Sequence, residues 1–317
     1  MTIASILFLL FGFQRYLFLK KYDILEEKQT QANVHKEYFM PAIYAHMRFG
    51  EAVIKDLPPT FQEKVNEFFP AFLLGTQGPD ILFYHKPLQS NPIKKKGMDI
   101  HLQPACEFFI EQAKRLIEEN HVHPQDGAYL PIDAQAAYIA GFLCHFVLDV
   151  SAHPKIYALE ETGISHGRIE SEFDKYLMRK DGKSIRGDNN AKRITPNFGV
   201  AEACANVLDV TKQEAKRAIK TIKTINGWFC SKCEPFHSLA HVVLRWIKME
   251  NKFGGMFLHK EDEPHCAECN RDLEALFSNA VPKAAALINE YFANLDDIAK
   301  NEKINDFFEY KYTGGKD

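Results

Sequence analysis

The sequence predicts an all-α fold, a single helical-bundle domain. Three observations carry this. From residue 41 to residue 297, apolar residues recur at three- and four-residue intervals, the period of an amphipathic helix. Alternating runs of branched and aromatic residues, which mark strands, are scarce. The longest apolar stretch, Ala134 to Leu159, follows Pro131 and carries His145, Asp149 and His153 four residues apart. The chain has 317 residues, 46% apolar and 26% charged. That is an ordinary soluble composition, long enough to bury a core without disulfides.

The elements follow in order. Helices are expected over 41–55 and 60–75, then a loop rich in Gly, Pro and Lys over 75–96. Residues 99–119 read as an amphipathic helix with Phe108, Phe109, Ala113 and Leu116 on one side. The apolar helix 134–159 comes next. Ser165 suits the N-cap of a helix over 165–178. A basic loop, 180–196, precedes helices near 198–208, 211–227, 237–251 and 271–297. No internal repeat or low-complexity block interrupts the pattern. One domain over 40–300 is the economical reading, with 301–317 as a tail that frays after Gly314.

Residues 1–39 read as an extension that is dispensable or mis-assigned. The apolar run 3–13 is shorter than the roughly 20 residues of a membrane span. Its charges, Arg15, Lys20 and Lys21, follow it rather than precede it, unlike a signal peptide. Met40 opens the globular pattern. If the codons of Lys36-Glu37 read AAGGAG, they form a ribosome-binding sequence at the usual distance from a Met40 start. The expected location is the cytoplasm, and anchoring through residues 2–19 is the alternative.

The net charge of −3 makes no strong case for nucleic acid or an acidic membrane as partner, although local patches remain compatible with it. The chain lacks an aromatic–basic stripe for single-stranded nucleic acid. Lys94–Lys96 and the basic stretch 180–192 read as solvated loops. Seven cysteines, an odd number, argue against a complete disulfide framework. Cys106, Cys144 and Cys204 read as core residues.

The chemistry concentrates between residues 145 and 170. A four-residue step advances about 40° around a helix, so His145, Asp149 and His153 project from nearly one face. Their neighbours are almost all apolar. A carboxylate buried between imidazoles is costly unless something neutralises it, and a divalent metal does so. His145 and His153 lie about 12 Å apart along the axis, while metal–nitrogen bonds are about 2 Å. The spacing therefore favours more than one ion, with Asp149 placed to bridge. His166 and Glu170 repeat the four-residue step on the next helix. With His153 they make three protein ligands and leave a position for water, as catalytic zinc sites do.

These residues resemble the bacterial zinc-dependent phospholipase C family, in its uncharacterised intracellular-type branch. The likeness rests on Ala45-His46, Gly75-Thr76-Gln77-Gly78-Pro79-Asp80, His101, the His145/Asp149/His153 helix and Ser165-His166-Gly167-Arg168-Ile169-Glu170. It runs from Met40 to about Tyr176, and more weakly to about residue 297. The resemblance implies an all-helical bundle, related to the single-strand-specific zinc nucleases, with two to three zinc ions. It implies Asp80, His101, His145 and Asp149 on one zinc, and His153, His166 and Glu170 on a second. His46 and Asp149 would hold a third, with Asp149 bridging. It also makes Asp80 the candidate catalytic general base. Secreted members place an N-terminal Trp on the third zinc, and no such Trp exists here. Removal of Met40 would free the amine of Pro41 as a substitute. Secreted members also have two more residues between the bridging Asp and the next His.

Two Cys-x-x-Cys pairs, Cys230/Cys233 and Cys266/Cys269, form a candidate structural zinc clip. His237, His241 and His265 are alternative ligands nearby. Tyr44, Phe49, Phe83, Tyr84 and Tyr138 are candidates for an aromatic wall around a choline-like cation, against the commoner reading as core. His85 reads as an exposed histidine. The resemblance implies hydrolysis of a phosphodiester, with a phospholipid or related diester as substrate and peripheral membrane contact. The competing readings are a nuclease-like phosphodiesterase and a non-catalytic metal-stabilised scaffold.

Overall fold

The computed structural model describes residues 43–125, 128–195 and 199–316. The expectations for residues 1–39 and for the Pro41 amine lie outside the described residues. The fold is all-α. Among the described residues thirteen α-helices run in the order α1 (Ile43–Asp56), α2 (Pro59–Glu67), α3 (Phe69–Gly75), α4 (Pro92–Leu102), α5 (Ala105–Glu118), α6 (Ala134–Glu160), α7 (His166–Lys180), α8 (Val200–Val207), α9 (Lys212–Phe229), α10 (Glu234–Trp246), α11 (Glu250–Phe253), α12 (Cys266–Ala293) and α13 (Leu295–Ala299). The sheet among the described residues is one hairpin, β1 (Val122–Gln125) antiparallel to β2 (Ala128–Pro131), with Val122 opposite Pro131.

Prolines explain where the helices depart from the sequence reading. The expected 60–75 helix divides at Phe68, because Pro70 has no N–H to continue the ladder and instead occupies the first turn of α3. The expected 99–119 helix divides at Gln103, which is extended ahead of Pro104. The expected 75–96 loop is largely helical. A 3-10 helix spans Gly78–Tyr84, and α4 starts at Pro92 behind Asn91, whose side chain accepts from the Lys94 N–H.

α6 is the axis of the bundle and is buried on nearly every side. By length and composition it matches a membrane span, but it is a core helix enclosed by the domain. Asp133 caps it, accepting from the N–H groups of Gln135 and Ala136. α1, α3, α8 and α12 pack around it. The α3–α6 crossing is set by two glycines. A side chain on Gly75 would overlap the Tyr138 carbonyl, and one on Gly141 would overlap the Phe72 carbonyl.

The segment read as a tail returns to the core. A 3-10 turn at Asp306–Glu309 buries Phe308, and Tyr312 is fully buried against Phe142 and Phe146. Gly314 (φ +83°) backs onto Pro154 and the Val150 carbonyl. That carbonyl has no helical partner, since Pro154 lacks an N–H. The five aromatics considered for a cation wall are core residues, each 2% exposed or less.

Gly141→Ala is expected to destabilise the protein by about 1–3 kcal/mol through overpacking at backbone that cannot yield. Urea unfolding followed by circular dichroism checks this, and a surface control such as Lys216→Ala should be silent.

Candidate metal centre

Five elements supply the eight expected ligands. α1 gives His46, the 3-10 helix gives Asp80, and α4 gives His101. α6 gives His145, Asp149 and His153, and α7 gives His166 and Glu170. The structure gathers them into three groups: His46, His145 and Asp149; Asp80, His101 and His145; His153, His166 and Glu170. Within each group the candidate ligand atoms lie within 4.8 Å of one another.

Asp149 sits at the centre, 2% exposed. Its Oδ1 lies 3.4 Å from His46 Nε2, while its Oδ2 lies 3.1 Å from His145 Nε2 and 3.9 Å from His101 Nε2. The two oxygens thus face different imidazoles. Asp80 Oδ1 approaches His101 Nε2 at 3.0 Å. On the other side, His166 Nε2 is 3.2 Å from Glu170 Oε1, and its Nδ1 is 3.4 Å from Glu160 Oε2.

The residues present fit bound metal. Asp80 Oδ1, His101 Nε2, His145 Nε2, Asp149 Oδ2, His153 Nε2 and Glu170 Oε2 are buried and make no aligned hydrogen bond. Two pairs of these atoms nonetheless stand 3.0 and 3.1 Å apart, Asp80 Oδ1 with His101 Nε2 and His145 Nε2 with Asp149 Oδ2. Close approach without hydrogen-bond alignment is what ligands show when each points at a common ion. Buried polar atoms left in that state are costly unless an ion completes them.

Backbone carbonyls set the ligand tautomers. His101 Nδ1 donates to the Gly97 carbonyl at 2.7 Å, and His153 Nδ1 donates to the Tyr312 carbonyl at 2.6 Å. Each contact leaves Nε2 with its lone pair toward the site. Asp174 has another task. Its two oxygens accept from the N–H groups of Tyr44 (3.1 Å) and Ala45 (2.8 Å), fixing the first turn of α1 and hence His46. Asp99 is exposed and pairs with Lys95. Gly78 adopts φ +50°, and any side chain there would overlap the His145 ring. The Gly-x-Asp turn therefore seats Asp80 directly beside that imidazole.

Electrostatics follow from burial and from the ligands' crowding. Burial pushes His46 down, to about 4, with His145 adding to the effect. Burial raises the Asp149 carboxyl, but His145, His153 and His46 outweigh it and hold it well below the carboxylate range. Burial lowers His145, and Asp149 and Asp80 reverse this to a net rise. Burial pushes Glu170 up to about 7. Burial opposes protonation of His166, yet Glu170 and Glu160 hold it up at about 10. The His166–Glu170 pair therefore keeps a proton at neutral pH when no metal is bound.

The two Cys-x-x-Cys pairs lie at the end of α9 and at the start of α12. Among the described residues no cysteine joins a group of three candidate ligands. Cys230 closes α9 with its sulfur on the Gly227 carbonyl, and Cys233 is exposed. Cys266 and Cys269 are buried in the first turn of α12, near Glu172 and Lys155 respectively. The 32-residue excursion between the pairs folds as α10 and α11 rather than as a knuckle. His265 is exposed and pairs with Glu263. His85, expected at the surface, is 4% exposed. Sequence reasoning passed over Glu160 and the Gly97 and Tyr312 carbonyls. Gly97 stands one helical turn before His101, a readable position, whereas nothing in the sequence ties residue 312 to residue 153.

A helical bundle that turns eight imidazoles and carboxylates from five elements into three adjoining groups has the ligand set of a candidate metal centre. A model of the family described as zinc dependent phospholipase C matches residues 45–224. The match covers more than half of the chain, which belongs to that family. Comparison with curated proteins and with solved structures gives no match.

Zinc ligation needs neutral imidazoles and ionised carboxylates. Loading the His153–His166–Glu170 group at pH 7 should then release between one and two protons, because in the free site His166 is held protonated and Glu170 is raised to about 7. Zinc affinity there should rise with pH up to about 10, where His166 loses its proton unaided. Calorimetric titration of zinc into metal-free protein in buffers of different ionisation enthalpy measures the release, and His166→Gln should reduce it.

Proposed function

We propose that the chain is a zinc-dependent phosphoric diester hydrolase of phospholipase C type. The observation that supports this best is the double engagement of Asp149, whose Oδ1 faces His46 while its Oδ2 faces His145, which two adjoining groups share, and lies 3.9 Å from His101 of the second group. Bridged neighbouring sites suit in-line displacement at phosphorus, where charge develops on two oxygens at once.

Zinc, when bound, supplies positive charge that neutralises the diester and makes water more acidic. The chain's own residues do the rest. Asp149 holds His46 and His145 in fixed relation, so the ligand atoms need no reorganisation. Asp80 lies at the edge of the His101–His145 group with Oδ1 unbonded. It is placed to orient the attacking water and accept its proton at that carboxylate. The Tyr312 and Gly97 carbonyls keep His153 and His101 in one tautomer each. His166 is the most exposed of the eight, at 11%, so substrate approaches from the α7 side. The preferred substrate class is a phospholipid or a related small diester.

Asp149→Ala should lower zinc content by at least one ion per chain, measured by plasma mass spectrometry. Asp80→Asn should lower turnover of a chromogenic phosphocholine ester by about 10²–10⁴-fold. Full activity in Asp80→Asn would remove the general base. Faster turnover of single-stranded DNA than of the ester would shift the reading to a nuclease. Zinc-loaded protein inert on both would make it a scaffold.

A further inference from the structure

α10 is the least buried long helix of the domain. Its thirteen residues include Phe236, Leu239, Ala240, Val242, Val243, Leu244 and Trp246, yet only His237 is buried. Leu239, Val242 and Trp246 are 45%, 54% and 67% exposed. Their spacing of three and four places them on one stripe, opposite His237. An exposed apolar helix face is a cost that a soluble domain carries only if something covers it.

The surroundings identify the cover. Residues 228–260 hold five Lys and Arg against two Asp and Glu, within a chain whose net charge is −3. Both acids are already engaged. Glu234 pairs with Arg186 and Lys260, and Glu250 pairs with His241. Arg245 and Lys248 are exposed and flank Trp246 in the chain. An apolar stripe containing Trp, edged by cations, fits the interface of an anionic lipid layer. Indole favours that boundary, with its ring in the acyl region and its N–H in the headgroups.

The helix connects to α7 through the segment that follows it. His241 packs beside His259, its ring centroid 5.2 Å away, and bonds Glu250 of α11. The strap that follows, Gly254–Met256, lies on the first turns of α7. Gly255 admits no side chain against Ser165 and Arg168, and its carbonyl accepts from Ser171 Oγ at 2.7 Å. His166 is the next residue after Ser165.

We propose that the Leu239–Val242–Trp246 stripe of α10 docks the protein on an anionic phospholipid surface. The inference rests on the phospholipase reading for its meaning, but not for its test. Vesicles of phosphatidylcholine alone, and with about one third phosphatidylserine, are floated with the full chain and with a Val242→Asp/Trp246→Gln double variant. Wild-type protein should float with the anionic vesicles, and the variant should bind about tenfold less or weaker. Hydrolysis of the soluble phosphocholine ester should be equal in both, which also shows that the variant is folded. Equal flotation of the two proteins, or none by wild type, overturns the proposal. So does a wild-type dimer in sedimentation that the variant converts to monomer, because a second copy then covers the stripe. Flotation needs no turnover. Loss of ester hydrolysis in both proteins therefore counts against the hydrolase reading and leaves the docking result standing on its own.

Discussion

The constraint on which the structure depends is the Asp149 carboxylate, buried in the most apolar helix of the chain. An ion in that position cannot be solvated by water. It has to be surrounded by partners of opposite or inducible charge, and the fold is arranged to bring them. α1 delivers His46, α4 delivers His101, and α6 itself delivers His145 and His153. Each arrives through a local device. Asp174 caps α1, Pro104 ends α4 just past His101, and Gly78 lets the 3-10 turn lie against His145. Removing the charge would leave these devices without a common purpose.

The protonation balance in the metal-free site is set by the same crowding. One group is held as a carboxylate by its imidazoles, while another, His166 with Glu170 and Glu160, is held protonated by an excess of carboxylate. The two ends of the site therefore differ in how readily they accept a cation. At the Asp149 end the carboxylate is ionised and His145 is shifted toward its protonated form, whereas at the His166 end the imidazole and the Glu170 carboxyl are both shifted that way.

How much of this was legible in the sequence depended on whether the signal was periodic. His145, Asp149, His153, His166 and Glu170 repeat at the helical period, so a linear reading can place them on faces. His46, Asp80 and His101 have no such relation to one another, and only the family resemblance joined them. The prolines at 70 and 104 announce helix breaks that apolar periodicity alone carries through. The cysteine pairs show the limit of local spacing: each pair is a regular pattern by itself, but the 32 residues between them include α10 and α11, so the spacing alone does not relate one pair to the other. Backbone carbonyls that fix imidazole tautomers carry no side-chain signature, so Tyr312 could not be seen in advance.

The Tyr312 carbonyl has a consequence for how the protein comes into being. It orients His153 from 159 positions downstream. A ribosome making this chain releases α6 and α7 long before it reaches residue 312. Through that interval His153 lacks its acceptor, and the half-built centre can offer its ligands to whatever ion is at hand. The acceptor of His153 is thus in place only once residues 306–314 have closed over Pro154.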